Sequence, residues 1–217
     1  MFAGTASYAG IYDDLNDEEK TAVQKGEQVV QTEDVDGAPW PKITVYQRIE
    51  ATPEEVMAVF WDFERHPKLF GKTKLVRITK TKVSKRISRN VLEVDYTMKF
   101  DKIMGIQLDD ENYTLKESLV GSGETFTNSW TKVKTDKIEQ IEGSLAVEKL
   151  GTGAVVAYYN YIFPPYASVC STIADLAVRN IKETVANMAS GIEDEKKNNG
   201  SLLQKQLEAL RKALGRN

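Results

Sequence analysis

The sequence predicts an α+β fold in which one long C-terminal helix lies on a sheet of about six to seven strands. Two patterns carry this. Between Thr44 and Phe163 almost every stretch alternates apolar and polar residues at the two-residue period of strands, with a single helical segment among them. From Tyr166 to Met188 the period changes to three and four: Val169, Cys170, Ile173, Leu176, Ala177, Ile181, Val185 and Met188 form one stripe, and Asp175, Arg179, Lys182, Glu183 and Asn187 occupy the other side. Pro164 and Pro165 give that helix a sharp start. A lone apolar stripe that follows a run of strands has the sheet to cover it.

The chain of 217 residues is long enough for one domain with appendages, and 41% hydrophobic with 28% charged residues is the balance of a soluble protein. No apolar run approaches the roughly 20 residues of a membrane span. Cys170 is the only cysteine, so no disulfide forms within the chain, and its place on the stripe predicts a buried thiol. Residues 1–10 lack a basic start and an apolar run, so they form no complete signal peptide. The expected compartment is the periplasm if a signal has been removed, and otherwise the cytoplasm.

Three segments are expected: an acidic lead-in over 1–40 with a short helix, a main domain over 41–192, and a linker with a short amphipathic helix over 193–217. The lead-in holds nine acids against Lys20 and Lys25. Asn16 is a helix cap before Asp17, Glu18 and Glu19, and Gly26 a stop. Glu27 to Thr32 reads as a brief strand, 33–41 as a loop, and 43–51 as a half-buried strand. Thr52-Pro53-Glu54-Glu55 is a capping box with Pro at the first helical position, opening a helix expected to end near His66 ahead of Pro67.

Residues 65–92 carry ten basic side chains and no acid. They read as a strand from Lys74 to Lys80 and a basic turn from Lys82 to Arg89. The field of residues 65–89 suits an anionic membrane surface or an acidic partner, while a protective lysine-rich strand edge explains it equally well. Nucleic acid is not expected, because the overall charge balance is acidic. Val91 to Phe100 alternates plainly, and Gly105 opens a further strand that runs through Tyr113 to Leu119. Gly121-Ser122-Gly123 is a hairpin turn, Gly143 a bulge site, and 154–163 a strand apolar on both sides, hence covered on both faces.

The segment VYQRIEATPEEVMAVFWDFERHPKLF, with the long final helix, resembles the START-like superfamily, also called SRPBCC or polyketide cyclase and lipid transport, over about residues 28–190. The lead-in is similar to that of bacterial, often exported, members. The resemblance implies the helix-grip fold, a curved antiparallel sheet around the C-terminal helix, with a cavity for a lipid or other hydrophobic molecule between them. Tyr96, Met98, Tyr113, Phe126, Asn128, Trp130, Tyr159, Asn160, Ile173 and Ala177 are the residues expected to line it, with Asn128 and Asn160 orienting the ligand. The competing reading is that these side chains simply fill the core.

His66 is the only histidine, and beside Pro67 it reads as a surface or cap residue. No cofactor, metal site or catalytic set is expected; Asp109, Asp110 and Glu111 read as a solvated rim. The alternatives are a cyclase- or aromatase-like enzyme, and a solid-core adaptor acting through the last helix. That helix spaces Leu203, Leu207, Leu210 and Leu214 for docking on its own domain or for self-association.

Overall fold

The computed structural model describes residues 10–38, 41–71, 73–101, 109–163 and 171–216. Eight strands form one antiparallel sheet: β1 (Val29–Glu33), β2 (Lys42–Ile49), β3 (Val76–Ser88), β4 (Val91–Phe100), β5 (Glu111–Ser122), β6 (Thr125–Thr135), β7 (Gln140–Leu150) and β8 (Gly153–Phe163). Their order is β1-β2-β8-β7-β6-β5-β4-β3, so β8 is interior and the basic β3 is an edge. Around the sheet lie α1 (Asp17–Gln24), α2 (Pro53–Phe60), α3 (His66–Leu69), α4 (Ser171–Asn198) and α5 (Gly200–Leu214). This is the helix-grip arrangement, with the main core between one face of the sheet and α2, α4 and α5.

The caps form as the sequence specifies. Asn16 pairs reciprocally with Glu19, and Thr52 with Glu55, each side chain satisfying the other's backbone N–H at a helix start. The doubly apolar β8 is covered on both faces. Tyr158 and Val156 join the main core, while Val155 and Ala157 meet Leu15, Val23, Val29 and Tyr46 in a second cluster on the outer face. Glu148 ties the lead-in to that face by accepting from the backbone N–H groups of Ile11 and Tyr12 at 2.9 and 2.8 Å.

Several expectations are corrected. The helix after Thr52 ends at Phe60, not near His66, and a 3₁₀ turn leads to α3, whose first turn accepts Pro67 because a first-turn residue has no intrahelical bond to donate. The basic segment is no turn at 82–89: β3 runs unbroken through Ser88. A register shift between Ile78 and Lys80 flips its alternation, so that Val76 and Ile78 share a phase that Thr81 and Val83 leave. Gly143 is not a bulge. It pairs in register with Trp130 and Asn160, and its missing side chain makes room for the Trp130 indole.

Residues 193–198, read as a linker, continue α4. Their charge hides a stripe of Met188, Ile192 and Glu195; Glu195 is buried, accepting from Arg65 Nη2 at 2.5 Å and Gln206 Nε2 at 2.6 Å. α5 then packs on α2 and α4, burying Leu203, Leu207 and Leu210, and Arg211 forks onto Glu54 at 2.9 and 2.8 Å. Glu111 is not on a solvated rim but is buried, capping the 136–138 turn by accepting from the N–H groups of Asp136 and Lys137 at 3.1 and 3.0 Å. The expectations for Pro164, Pro165, Tyr166, Val169, Cys170 and Gly105, and for the side chain of Ile173, lie outside the described residues.

Candidate functional site

A cavity of about 110 Å³ lies between the sheet, α3 and the middle of α4. Alternation on the strands decides which side chains face it. Tyr96 and Met98 come from β4, Tyr113, Leu115 and Glu117 from β5, Trp130 from β6, Ile141 from β7, and Tyr158, Asn160 and Ile162 from β8. Ile181, Thr184 and Asn180 of α4, with Phe60, His66, Phe70, Gly71 and Thr73, close the other side, and Val76, the exposed Arg77 and Ile78 of β3 complete the lining. Aromatic contacts stiffen this wall: Tyr96 and Tyr113 stack at 5.1 Å with planes 4° apart, and Trp130 lies 5.4 Å from Tyr158 and 6.2 Å from Phe60.

Of the ten residues expected to line a cavity, Tyr96, Met98, Tyr113, Trp130 and Asn160 line this one. Four others do not. Asn128 lies behind the wall, fully buried beside Glu117. Phe126 belongs to the opposite end of β6, where the Arg216 guanidinium sits 5.6 Å from its ring. Tyr159 has the other phase of β8 and donates outward to Glu142 at 2.7 Å. Ala177 packs half-buried against the core. Ile173 is the tenth.

The wall also contains two ionisable groups that the residue patterns had not placed there. Glu117 is only 2% exposed. Its Oε1 accepts from the Tyr96 hydroxyl at 2.8 Å and its Oε2 from Asn128 Nδ2 at 2.7 Å. Burial pushes its carboxyl up to about 7, against the pull of those two donors. The same burial, with the nearby Glu117 carboxylate, raises the hydroxyls of Tyr96 and Tyr158, and burial with Tyr158 and Glu117 raises that of Tyr113; all three stay protonated. Asn128 Oδ1 has no partner among the described residues.

His66 is 2% exposed and not a surface residue. The 3₁₀ turn over Phe63–Arg65 and the start of α3, both after Asp62, fold it inward against the rings of Phe60, Phe63 and Phe70, at 5.1, 5.0 and 4.7 Å. Its Nε2 lies 2.8 Å from the Phe60 carbonyl oxygen, which can only accept, so Nε2 carries the proton. Burial holds the imidazole down to about 4, against the pull of that bond, and it is neutral at ordinary pH. The sequence did contain a signal for Glu117: it shares a strand phase with Tyr113, Leu115 and Leu119, which places a charge on an apolar face. No comparable signal existed for His66.

No family model and no curated protein matches the sequence. Solved structures do match its fold. A STAR-related lipid transfer protein fragment from Xanthomonas axonopodis superposes with a TM-score of 0.62 at 12% identity, over 76% of this chain and 93% of its own. Human STARD10 gives 0.60 at 16% identity over 82% and 78%. The Zhui aromatase/cyclase from Streptomyces sp. R1128 gives 0.52 at 11% identity over 80% and 99%. This chain therefore shares the helix-grip fold of those structures. Among the described residues no helix is long and apolar enough to cross a membrane.

Proposed function

We propose that this chain binds a hydrophobic small molecule in the cavity between the sheet and α4. The observation that carries the proposal is the cavity itself: a well-packed core leaves few voids larger than a water molecule, whereas here about 110 Å³ stands open behind aromatic and aliphatic walls. Solved structures of the same fold named for lipid transfer support the reading. Size refines it. Drug-sized ligands occupy roughly 300–1,000 Å³, so the cavity as it stands suits a ring-sized molecule, and carriage of a whole lipid requires it to widen.

Mass spectrometry of organic extracts tests this directly. The purified chain should release a compound that a Met98→Trp variant, its cavity filled, no longer retains. Equal retention by both would place the binding elsewhere.

The exposed edge strand supports a second component of the proposal, approach to an anionic membrane surface. Arg77, Lys80, Lys82, Arg86 and Arg89 are all exposed on or beside β3. Docking through α5 has less support, because Leu203, Leu207 and Leu210 are already buried within the chain. A cyclase-like activity is favoured by one feature, a buried carboxyl that titrates near neutrality. It predicts turnover that Glu117→Gln abolishes.

A further inference from the structure

One hydrogen-bond acceptor in the cavity wall is left empty. With the His66 proton fixed on Nε2 by the Phe60 carbonyl, Nδ1 is a bare lone pair, buried and without a partner among the described residues. The rings of Phe60, Phe63 and Phe70 packed against it carry no polar hydrogen. Tyr96, the one neighbouring ring with a hydroxyl, lies 6.0 Å from the imidazole and directs that hydroxyl to Glu117 instead. Glu117 itself takes two donors and gives none while ionised. A buried acceptor without a donor is unfavourable, and a hydroxyl on a bound molecule would relieve it.

Resting on the proposed binding role, the geometry points to a neutral monocyclic ligand bearing a hydroxyl group, such as a phenol or a cyclic alcohol. Its ring would lie among Met98, Tyr113, Trp130 and Ile181, and its O–H would donate to His66 Nδ1. The volume caps the ring count: an apolar cavity of about 150 Å³ holds one benzene, so one of about 110 Å³ has room for no more than a single ring. The buried Glu117 carboxyl, when ionised, works against a carboxylate ligand. An anion brought beside Glu117 would meet like charge, and Arg77, the one cation in the lining among the described residues, is exposed and solvated.

The test uses toluene, phenol and benzoate as probes on the full chain at about pH 8, with affinities from calorimetry. Phenol should bind about tenfold more tightly than toluene, the worth of one added hydrogen bond, and benzoate should not bind measurably. Because His66 is the only histidine, its Nδ1 resonance in ¹⁵N-histidine-labelled protein is unambiguous. That resonance should move upfield on saturation with phenol and far less with toluene. A His66→Phe variant should keep toluene binding and lose the preference for phenol; if it fails to fold, the resonance decides alone.

Toluene binding without a phenol preference, or phenol binding that leaves Nδ1 unmoved, would overturn the hydroxyl inference and leave the cavity reading intact. Failure of both toluene and phenol to bind would overturn both.

Discussion

Replacing Glu117 by glutamine should change the stability of the protein in a pH-dependent way whose size follows from the burial of that carboxyl. The carboxyl titrates at about 7 in the fold against an ordinary value of 4.5. Between those values the folded chain holds a proton that the unfolded chain has released. The contribution of the neutral carboxyl is therefore complete below about pH 4.5 and is lost as pH rises through about 7. At about 1.4 kcal/mol per pH unit the gap is worth about 3 kcal/mol.

His66 runs the other way. Its imidazole is held down to about 4 from 6.5, so its contribution is present above about pH 6.5 and is lost as pH falls toward 4. The two windows overlap and oppose each other in the wild type, which conceals both. The comparison of Glu117→Gln with wild type cancels His66, because both chains contain it. Glutamine also fits the site: Tyr96 can donate to its Oε1, and a rotated Asn128 amide can turn its unpartnered Oδ1 toward the new Nε2–H. Urea unfolding followed by tryptophan fluorescence should show the variant gaining about 3 kcal/mol on wild type between about pH 4.5 and pH 8. A stability difference that does not change with pH would refute the account of a desolvated, cation-free carboxyl.

Gly143→Ala should destabilise the protein by about 1–3 kcal/mol in urea unfolding, because the new methyl group meets the Trp130 indole and the Tyr159 carbonyl; it should also weaken toluene binding by displacing the wall. Leu210→Ala, at a fully buried site under α5, should cost about 2–5 kcal/mol, whereas Arg211→Ala, which breaks a partly exposed ion pair with Glu54, should cost under about 1 kcal/mol. Binding to vesicles of phosphatidylserine and phosphatidylcholine should weaken with salt and fall on Lys80→Glu with Lys82→Glu, while toluene binding is unchanged; binding insensitive to both would remove β3 as the docking edge.

What the sequence disclosed tracks where local pattern equals tertiary fate. Capping boxes at Asn16 and Thr52, the double apolarity of β8 and the stripe of α4 were legible because each is a local rule that the fold then obeys. β3 was obscured where a register shift after Ile78 reversed its alternation, since periodicity assumes an unbroken ladder. The extension of α4 through Asn198 was obscured because Glu195 gains Arg65 and Gln206 only in three dimensions. Within the cavity, strand phase located Tyr96, Met98 and Tyr113, and the same rule read strictly would have rejected Tyr159 and admitted Glu117. His66 was beyond reach of pattern: a 3₁₀ turn running into the short α3 carries it inward, and no spacing announces that.

The claim at the centre of this account is that a small apolar molecule occupies the space behind Met98, and methionine methyl resonances test it most directly. Met98 lines the cavity, whereas Met57 and Met188 are fully buried elsewhere in the core. In protein labelled at the methionine methyls, toluene should shift Met98 progressively to saturation while Met57 and Met188 stay in place. No shift at Met98, or equal shifts at all three, would contradict the existence of a defined binding cavity there.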